Sequence, residues 1–370
     1  MSRPVKYIAV AVVVALLAGL VTGIAFWTSG YDPDKIVPGL YINGKMVAKA
    51  EEAPALISFG ETEVPFSIYR HYYLMYSFYY KMSYGQDFLE QDPDGDYLYN
   101  LLGNVDRTLK TAYAVMQLAR ENGIELDAEE LASIAETLAA QKEEHGANFE
   151  KYLLDNAYLD EANYNAVTEM QTLVTKARSE YLEMLRTENG ARLEKEADEE
   201  YLKDNMRVKH ILISPMLTDE DGHELSAEEG KKAAEDLANQ LLEQIHAGED
   251  TEAIFDELMF AYSEDGGLEN NPNGYTFKDD GSMARPFADA AKALAEGEVS
   301  GPVWNSQENY SGYHILLRLP LDEEDMEASR TAVVDQKLND MLNEKLDGIE
   351  ATMPTQYSEY YDKLTADSMR

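Results

Sequence analysis

Two short strand-like stretches decide the fold: Val208-Lys209-His210-Ile211-Leu212-Ile213 and Gly312-Tyr313-His314-Ile315-Leu316-Leu317-Arg318. Each sets one histidine among aliphatic and β-branched neighbours, a composition typical of strands. Because side chains alternate between the two faces of a strand, His210 shares a face with Val208 and Leu212, and His314 shares one with Leu316. We therefore expect both imidazoles to point into a semi-buried layer of an antiparallel sheet.

Further motifs lie between these strands in a fixed order: Tyr262-Ser-Glu-Asp-Gly-Gly267, Asn271-Pro-Asn-Gly-Tyr-Thr-Phe277, Gly281-Ser-Met-Ala-Arg-Pro-Phe287 and Gly297-Glu-Val-Ser-Gly-Pro-Val303. The ordered series resembles the parvulin family of peptidyl-prolyl cis/trans isomerases over roughly residues 206 to 320. The order of the motifs carries the resemblance. The larger layout, an N-terminal hydrophobic segment followed by a helical region, this module and a C-terminal helix, resembles the PrsA-type extracytoplasmic foldases.

Helix signals occur inside this module and on both sides of it. Capping-box patterns begin helices at Asp127 and Ser226, where a glutamate follows three residues later. Ser67 is expected to cap a tyrosine-rich helix that ends at Gly85. The other predicted helices run from 104 to 121, from Asp160 towards 187, from 194 to 203, and from 287 to 295.

We predict an α+β fold in which a small antiparallel-sheet domain is inserted into a mostly α-helical, chaperone-like domain. The predicted segments are a transmembrane anchor or signal (1–30), the N-terminal part of the helical domain (31–205), the parvulin-like domain (206–320), a C-terminal helix that docks on the helical domain (321–353), and a loose tail (354–370). The docking is expected because Val334, Leu338, Met341 and Leu342 form an apolar face that the small module does not need.

The N-terminus carries the localisation signal. Arg3 and Lys6 precede an uncharged run from Tyr7 to Gly30 that is long enough to span a bilayer as a helix. Positive charge on the N-terminal side places the remainder of the chain outside the cytoplasmic membrane. The alternative is a cleaved secretory signal, with small residues at 28–30 as the processing site. We expect a single-pass membrane protein, or a secreted protein if the segment is removed.

The amino-acid composition limits the classes of partner that this protein is expected to bind. The formal net charge is -39 with a pI near 4.3, so phosphate backbones and anionic lipid surfaces would be repelled, and no nucleic-acid partner is expected. The chain has no cysteine, which excludes disulfides, thiolate metal sites and lipid attachment through an N-terminal cysteine. The Asp92–Asp96 run has a glycine where a calcium loop needs its closing glutamate, and is predicted to be a turn. No metal and no cofactor is expected, and homodimerisation is left open.

The resemblance to parvulins implies an active site within residues 206–320. Isomerisation of Xaa-Pro needs no nucleophile, only an apolar slot for the proline ring and a polar, partly desolvated wall beside the rotating amide. Met283 and Phe287 match the slot positions, and the alternative for both is plain core packing. His210 and His314 match the paired histidines, with a catalytic or a structural role. Asp265 matches the position of a catalytic acidic residue or cysteine, and Ser311 a hydroxyl position or a solvated loop serine.

One stretch departs from the family. The common Gly-Gly-Asp-Leu-Gly-x-Phe run is replaced by residues 271–277, which removes an apolar leucine. Tyr275 is expected to supply the lost wall of the slot, and Phe277 is expected to be a further substrate-binding residue. The departure keeps a second function open: a membrane-anchored chaperone or scaffold whose parvulin domain no longer turns over.

The loop after the first strand indicates whether the substrate carries a phosphate before the proline. It reads Thr218-Asp-Glu-Asp-Gly-His-Glu224, whereas recognition of a phosphate needs arginine or lysine. The expected activity is therefore peptidyl-prolyl cis/trans isomerisation at unphosphorylated Xaa-Pro bonds in unfolded or partly folded exported polypeptides.

Overall fold

The computed structural model describes residues 37–85, 88, 95–219, 221–307, 310–365 and 368–369. The chain divides into two compact units, one formed by residues 1–188 and 338–370 and the other by residues 189–337. Among the described residues no helix is both long and apolar enough to cross a membrane. The predicted anchor in residues 1–30 lies outside the described residues, as do residues 92–94 of the predicted turn.

The first unit is mainly helical. Its strands are β1 (Gly39–Ile42), β2 (Lys45–Lys49), β3 (Ile57–Phe59) and β4 (Thr62–Glu63). Its helices are α1 (Phe66–Tyr84), α2 (Asp96–Asn122), α3 (Ala128–His145), α4 (Phe149–Asn156) and the first part of α5 (Glu161–Asp204). The N-terminal part of the tyrosine-rich face of α1 is core, because Tyr69, Tyr72 and Tyr73 are buried, whereas Tyr79 near the end of the helix is exposed.

Two of the helix ends predicted in the first unit show the expected capping chemistry, and one does not. Asp127 caps α3 and forms the expected capping box with Glu130, and Gly123 ends α2 in the left-handed region at φ +67°. The expected cap at Ser67 is wrong: α1 begins at Phe66 after Pro65, and the Ser67 hydroxyl donates to Asn163 Oδ1 at 2.8 Å. Proline is a common residue at helix starts because it lacks the N–H that a first turn leaves unsatisfied.

The C-terminal helix α9 (Glu323–Thr352) buries Leu338, Leu342 and Leu346. In the first unit its last turns contact α2, where Thr111 Oγ1 donates to Glu350 at 2.8 Å. The predicted loose tail is wrong for the described residues. Strand β9 (Thr355–Tyr357) pairs antiparallel with β3, because β3 offers a free edge that a returning chain can satisfy. Met369 also forms a bridge to Leu40.

The second unit is built on a four-stranded antiparallel sheet in the order β6-β5-β8-β7. Its strands are β5 (Asn205–Ile213), β6 (Tyr275–Lys278), β7 (Val303–Gln307) and β8 (Tyr310–Leu319), and its helices are α6 (Ala227–Ala247), α7 (Thr251–Tyr262) and α8 (Arg285–Ala293). This arrangement confirms the predicted mixture of helices with an antiparallel sheet. The domain boundaries drawn from the sequence remain predictions.

The sheet has an apolar layer on each face. On one face, Ile211 and Ile315 pack with Phe255 and other residues of α6 and α7. On the other, Val208 and Leu316 pack with Phe287 of α8. The two central strands approach closely at Gly312, where a Cβ atom would lie 2.6 Å from Leu212 Cδ1 and 2.8 Å from the Ile213 carbonyl oxygen. A side chain at this position would push β5 and β8 apart.

Element boundaries differ from expectation where tertiary contacts decide. The helix predicted to end near 187 and the connector predicted at 194–203 are one helix, α5. The strand expected from Val299 to Trp304 begins at Val303, and Val299 forms only an isolated bridge to Leu317. Gly301 and Pro302 precede β7, and proline cannot donate to a strand ladder.

Candidate active site

The paired histidines lie on the two central strands. Leu212 is in register with His314 and His210 with Leu316, so the two imidazoles are diagonal neighbours on one face of the sheet. Their Nδ1 atoms are 3.1 Å apart, their rings are stacked at a centroid distance of 5.1 Å, and both residues are buried. The prediction of neighbouring, hydrogen-bonded histidines is confirmed.

Asp265 extends the pair into a polar chain. Nε2 of His210 lies 3.2 Å from Asp265 Oδ2, and the Tyr275 hydroxyl donates to the same oxygen at 2.5 Å. The other oxygen, Oδ1, accepts the Gly267 N–H at 3.1 Å. A carboxylate accepts only, so His210 donates from Nε2. The Nδ1 atoms of His210 and His314 share one hydrogen bond, so the proton positions of the two rings are linked.

The protonation states follow from this chain. The hydrogen bond from His210, followed by those from Tyr275 and Gly267, holds the pKa of Asp265 well below its usual range, despite partial burial. Burial, with the adjacent His210, lowers the pKa of His314 from 6.5 to about 4. His314 is therefore neutral near pH 7. Its Nε2 is buried and has no hydrogen-bond partner among the described residues.

An apolar wall adjoins the polar chain. The Phe287 ring meets His210 edge to face at 5.2 Å between centroids and His314 at 5.4 Å. Phe277 lies 5.7 Å from Phe287, and Met283 packs partly buried against the same cluster. Both proposed slot residues thus lie at one site. Part of their surface packs into the sheet, so a structural contribution accompanies any binding role.

Tyr275 was expected as a wall of the slot, and the structure gives it a polar contact as well. Its ring lies 5.4 Å from that of His210, while its hydroxyl binds Asp265. Gly267 makes room for this hydroxyl, because a Cβ atom at residue 267 would lie 2.3 Å from it. The Asp-Gly-Gly run after Ser263 was the available sequence signal for this close approach.

The loop that carries Asp265 is anchored to β5. The Ser263 hydroxyl accepts the N–H of Leu212 at 3.1 Å and that of Asp265 at 3.4 Å, and the Glu264 N–H donates to the Leu212 carbonyl at 2.9 Å. Sequence reasoning did not identify this role of Ser263. The bonds fix the loop at the strand position two residues after His210, which explains why Asp265 reaches that imidazole.

Ser311 is not brought together with these side chains. It lies on β8 in register with Ser306 of β7, and the pairing runs without a shift to His314. Strand alternation therefore places Ser311 on the face of Tyr313 and Ile315, opposite to that of His314. Its catalytic role stays a sequence prediction that the geometry does not support.

Within the part of the chain that the structure describes, one group of side chains has the spacing for a metal ion. Asp219, Asp221 and His223 are close together at the tip of the loop after β5, and all are exposed. Asp219 already accepts backbone N–H groups of residues 221 and 223, so it orders the turn. At the polar chain, the Asp265 carboxylate is instead hydrogen-bonded to His210 and Tyr275.

Part of the chain is similar to a known protein family and to known chaperones and foldases. Residues 210–319 match the rotamase model, described as the PPIC-type PPIase domain. The chain is 31% identical over 124 residues to the chaperone SurA of Pseudomonas fluorescens, which covers 34% of this chain and 25% of that one. It is 26% identical over 212 residues to the foldase protein PrsA 4 of Bacillus cereus, covering 56% of this chain and 62% of that one.

A crystal structure of the peptidylprolyl isomerase PrsA from Bacillus cereus is similar at 21% identity, covering 75% of this chain and 91% of that chain with a TM-score of 0.29. The chain thus spans a quarter to about three fifths of the curated relatives it matches. Residues 210–319 form a rotamase domain of the PPIC type, which is the parvulin family.

Proposed function

We propose that this protein is a peptidyl-prolyl cis/trans isomerase and foldase for exported polypeptides. One observation carries the proposal: the hydrogen-bonded chain Tyr275–Asp265–His210–His314 lies directly against the apolar wall at Phe287. An apolar surface beside a preorganised polar chain is the combination that binding a twisted Xaa-Pro amide requires.

The site residues have two roles, which are binding of the proline ring and stabilisation of the twisted amide. Met283 and Phe287 would hold the proline ring through apolar contact, with Phe277 behind them. As the amide twists, resonance is lost and charge shifts between its oxygen and nitrogen. The Asp265 carboxylate and the imidazoles are already oriented, so they can stabilise that redistribution without reorganising. No nucleophile and no group outside the chain is needed, and a thousandfold acceleration requires only about 4 kcal/mol.

The loop after β5 supports unphosphorylated substrates. Asp219 and Asp221 are exposed at its tip, and no arginine or lysine lies within residues 211–230. A phosphate before the proline would meet negative charge rather than a cationic partner. A phosphoserine-proline peptide should therefore be a poorer substrate than its unphosphorylated counterpart.

The proposal includes a place of action. The N-terminal charge pattern and hydrophobic run support a chain anchored in the cytoplasmic membrane, or released from it after cleavage, with its bulk outside. Added protease should degrade residues 31–370 in intact spheroplasts. Protection of that region until lysis would reject this placement.

The activity is tested with the full-length chain in neutral-lipid nanodiscs. Isomerisation of a tetrapeptide with a cis Xaa-Pro bond and refolding of a proline-limited protein should both accelerate, with Asp265→Asn as the inactive control. Improved refolding yield without any acceleration of the tetrapeptide would reject the enzyme and favour the alternative, a chaperone with a degenerate parvulin domain.

A further inference from the structure

A half-open groove of about 710 Å³ lies on the rotamase domain beside the loop that carries Asp265. It is lined by residues 213–217 at the end of β5, by Leu237 of α6, and by residues 261–264 at the end of α7. Its volume lies in the range of pockets that hold small ligands or short peptide segments. Phe287 and Met283 do not line it, so the groove is separate from the proposed proline slot.

The groove is held open by fixed backbone contacts. The Ser214 N–H donates to Glu264 Oε2 at 2.7 Å, which ties its two walls together, and the Met216 N–H donates to the Gly230 carbonyl at 3.1 Å. At Gly230 a Cβ atom would lie 2.1 Å from the Met216 carbonyl oxygen, so only glycine lets the wall lie so close to α6. A preformed groove reduces the conformational entropy that the protein loses when a ligand binds.

The groove presents apolar surface to solvent. Leu217 is 82% exposed and Tyr262 is 45% exposed, while Leu237 and Met216 are partly buried beneath them. Contiguous exposed apolar surface rimmed by polar groups commonly marks a binding site. The described part of the second unit supplies no segment that covers it.

The charge around the groove determines its partner. Glu264 is the single charged side chain among its described lining residues, and it is exposed. The adjoining hairpin continues from Leu217, whose carbonyl accepts the Leu225 N–H, and carries Asp219, Asp221 and Glu224 at exposed positions. Such a surface attracts cations and repels anions.

We propose that this groove binds a cationic, apolar stretch of an unfolded polypeptide, in which lysine or arginine flanks large aliphatic or aromatic side chains. Leu217 and Tyr262 contact the apolar side chains, and Glu264 with the acidic hairpin pairs with the cation. The inference rests on the proposed function in taking a polypeptide client as the occupant. Because residues 263 and 264 directly precede Asp265, a bound segment is held next to the rotamase site.

Fluorescence anisotropy with the full-length chain in neutral-lipid nanodiscs tests this, with empty nanodiscs as the blank. The probe is a labelled, proline-free decapeptide with two lysines flanking a Leu-Phe pair in a Gly-Ser background. A second peptide replaces the lysines by glutamate, and a third replaces Leu-Phe by serine. The lysine peptide should bind about tenfold more tightly than either, and its affinity should fall with added salt.

Variants inside the groove, each matched with a control outside it, show whether the lysine peptide binds in the groove. Leu217→Ser should weaken binding of the lysine peptide about fivefold, and Glu264→Gln, which keeps an acceptor for the Ser214 N–H, about threefold. The controls are Phe260→Ser, with a side chain 62% exposed outside the lining, and Glu257→Gln, also exposed on α7. Both controls should change affinity less than about twofold.

Three results would overturn the proposal: no binding of the lysine peptide, equal affinity for the glutamate peptide, or equal effects of the groove variants and their controls. Since the probes contain no proline, a protein without isomerase turnover could still bind them. Loss of the groove proposal with turnover intact, and loss of turnover with the groove intact, are therefore distinct outcomes.

Discussion

Two aspartates, one in each unit, accept hydrogen bonds from tyrosine hydroxyls, yet their pKa values shift in opposite directions. In the rotamase domain Asp265 accepts from Tyr275, His210 and a backbone N–H, and its pKa is lowered. In the helical unit Asp106 accepts from Tyr69 at 2.7 Å and Tyr361 at 2.6 Å, and burial raises its pKa. Tyrosine bonds lower the pKa at both sites, but only Asp265 also has an imidazole partner to offset desolvation.

The difference separates two uses of a buried carboxylate. Asp106 ties the C-terminal segment around Tyr361 to α1 and α2, which is a structural task. Asp265 is kept charged beside an apolar wall, which is costly to maintain and is typical of functional sites. Four experiments, ordered from the largest expected effect to the smallest, test this contrast.

Acidification should act in opposite directions on two groups, His314 in the rotamase domain and Asp106 in the helical unit. His314 has a folded-state pKa of about 4, below its ordinary 6.5, so its contribution to stability is present above pH 6.5 and is lost as pH falls towards 4. At 1.36 kcal/mol per pH unit, the rotamase domain should lose about 3 kcal/mol. Asp106, whose pKa is raised, contributes stability at low pH that is lost as pH rises.

The measurement is urea unfolding followed by Trp304 fluorescence in a Trp27→Phe background, since these are the two tryptophans of the chain. His314→Gln should flatten the dependence between pH 7 and pH 5. An unchanged pH dependence in that variant would contradict the assignment of the buried neutral imidazole to His314.

Removing the charge at Asp265 should cost about 100-fold in isomerisation rate, in line with the loss of one preorganised electrostatic group. The variant is Asp265→Asn, measured with a tetrapeptide at pH 7. Asp106→Asn is the matched control, because it makes the same change at a tyrosine-bound carboxylate outside the site. Similar rates for the two variants would remove Asp265 from catalysis.

The contact between Tyr275 and Asp265 should be worth about tenfold in rate, as expected for one hydrogen bond to a charged group. Tyr275→Phe should also move the acidic limb of the pH–rate profile upward, because loss of the hydroxyl lets the pKa of Asp265 rise. Gly267→Ala should reproduce the effect by displacing the hydroxyl, with Gly266→Ala as its control, since a Cβ there meets nothing within 4 Å. Additive losses in the double variant would show that glycine and tyrosine act separately.

The smallest effect is expected at Asp106. Asp106→Asn removes a charge that burial disfavours and keeps an acceptor, so stability at pH 7 should rise by about 1 kcal/mol at most. Asp106→Ala should instead destabilise by about 2 kcal/mol, because the Tyr69 and Tyr361 hydroxyls lose their acceptor. Hydrogen exchange of the α2 amides reports both. Equal destabilisation by the two variants would mean that Asp106 is stabilising as a charged group.

The sequence alone determined what depends on near neighbours. Alternation along β5 and β8 predicted the shared face of the histidines, and capping chemistry at Asp127 and Ser226 predicted two helix starts. These signals act within about four residues, a range over which backbone geometry is nearly constant. The family resemblance then joined Asp265 and Phe287 to the same site.

Only the tertiary structure decided which distant groups meet. The pairing of β9 with β3, the opposite face of Ser311 and the bond from Tyr275 to Asp265 all depend on how separate segments close on one another. Closing a loop is paid for by many contacts together and leaves no mark on any one residue. The Tyr275 bond in addition needs the missing Cβ of Gly267, and that requirement becomes visible only when the two side chains are placed at their real separation.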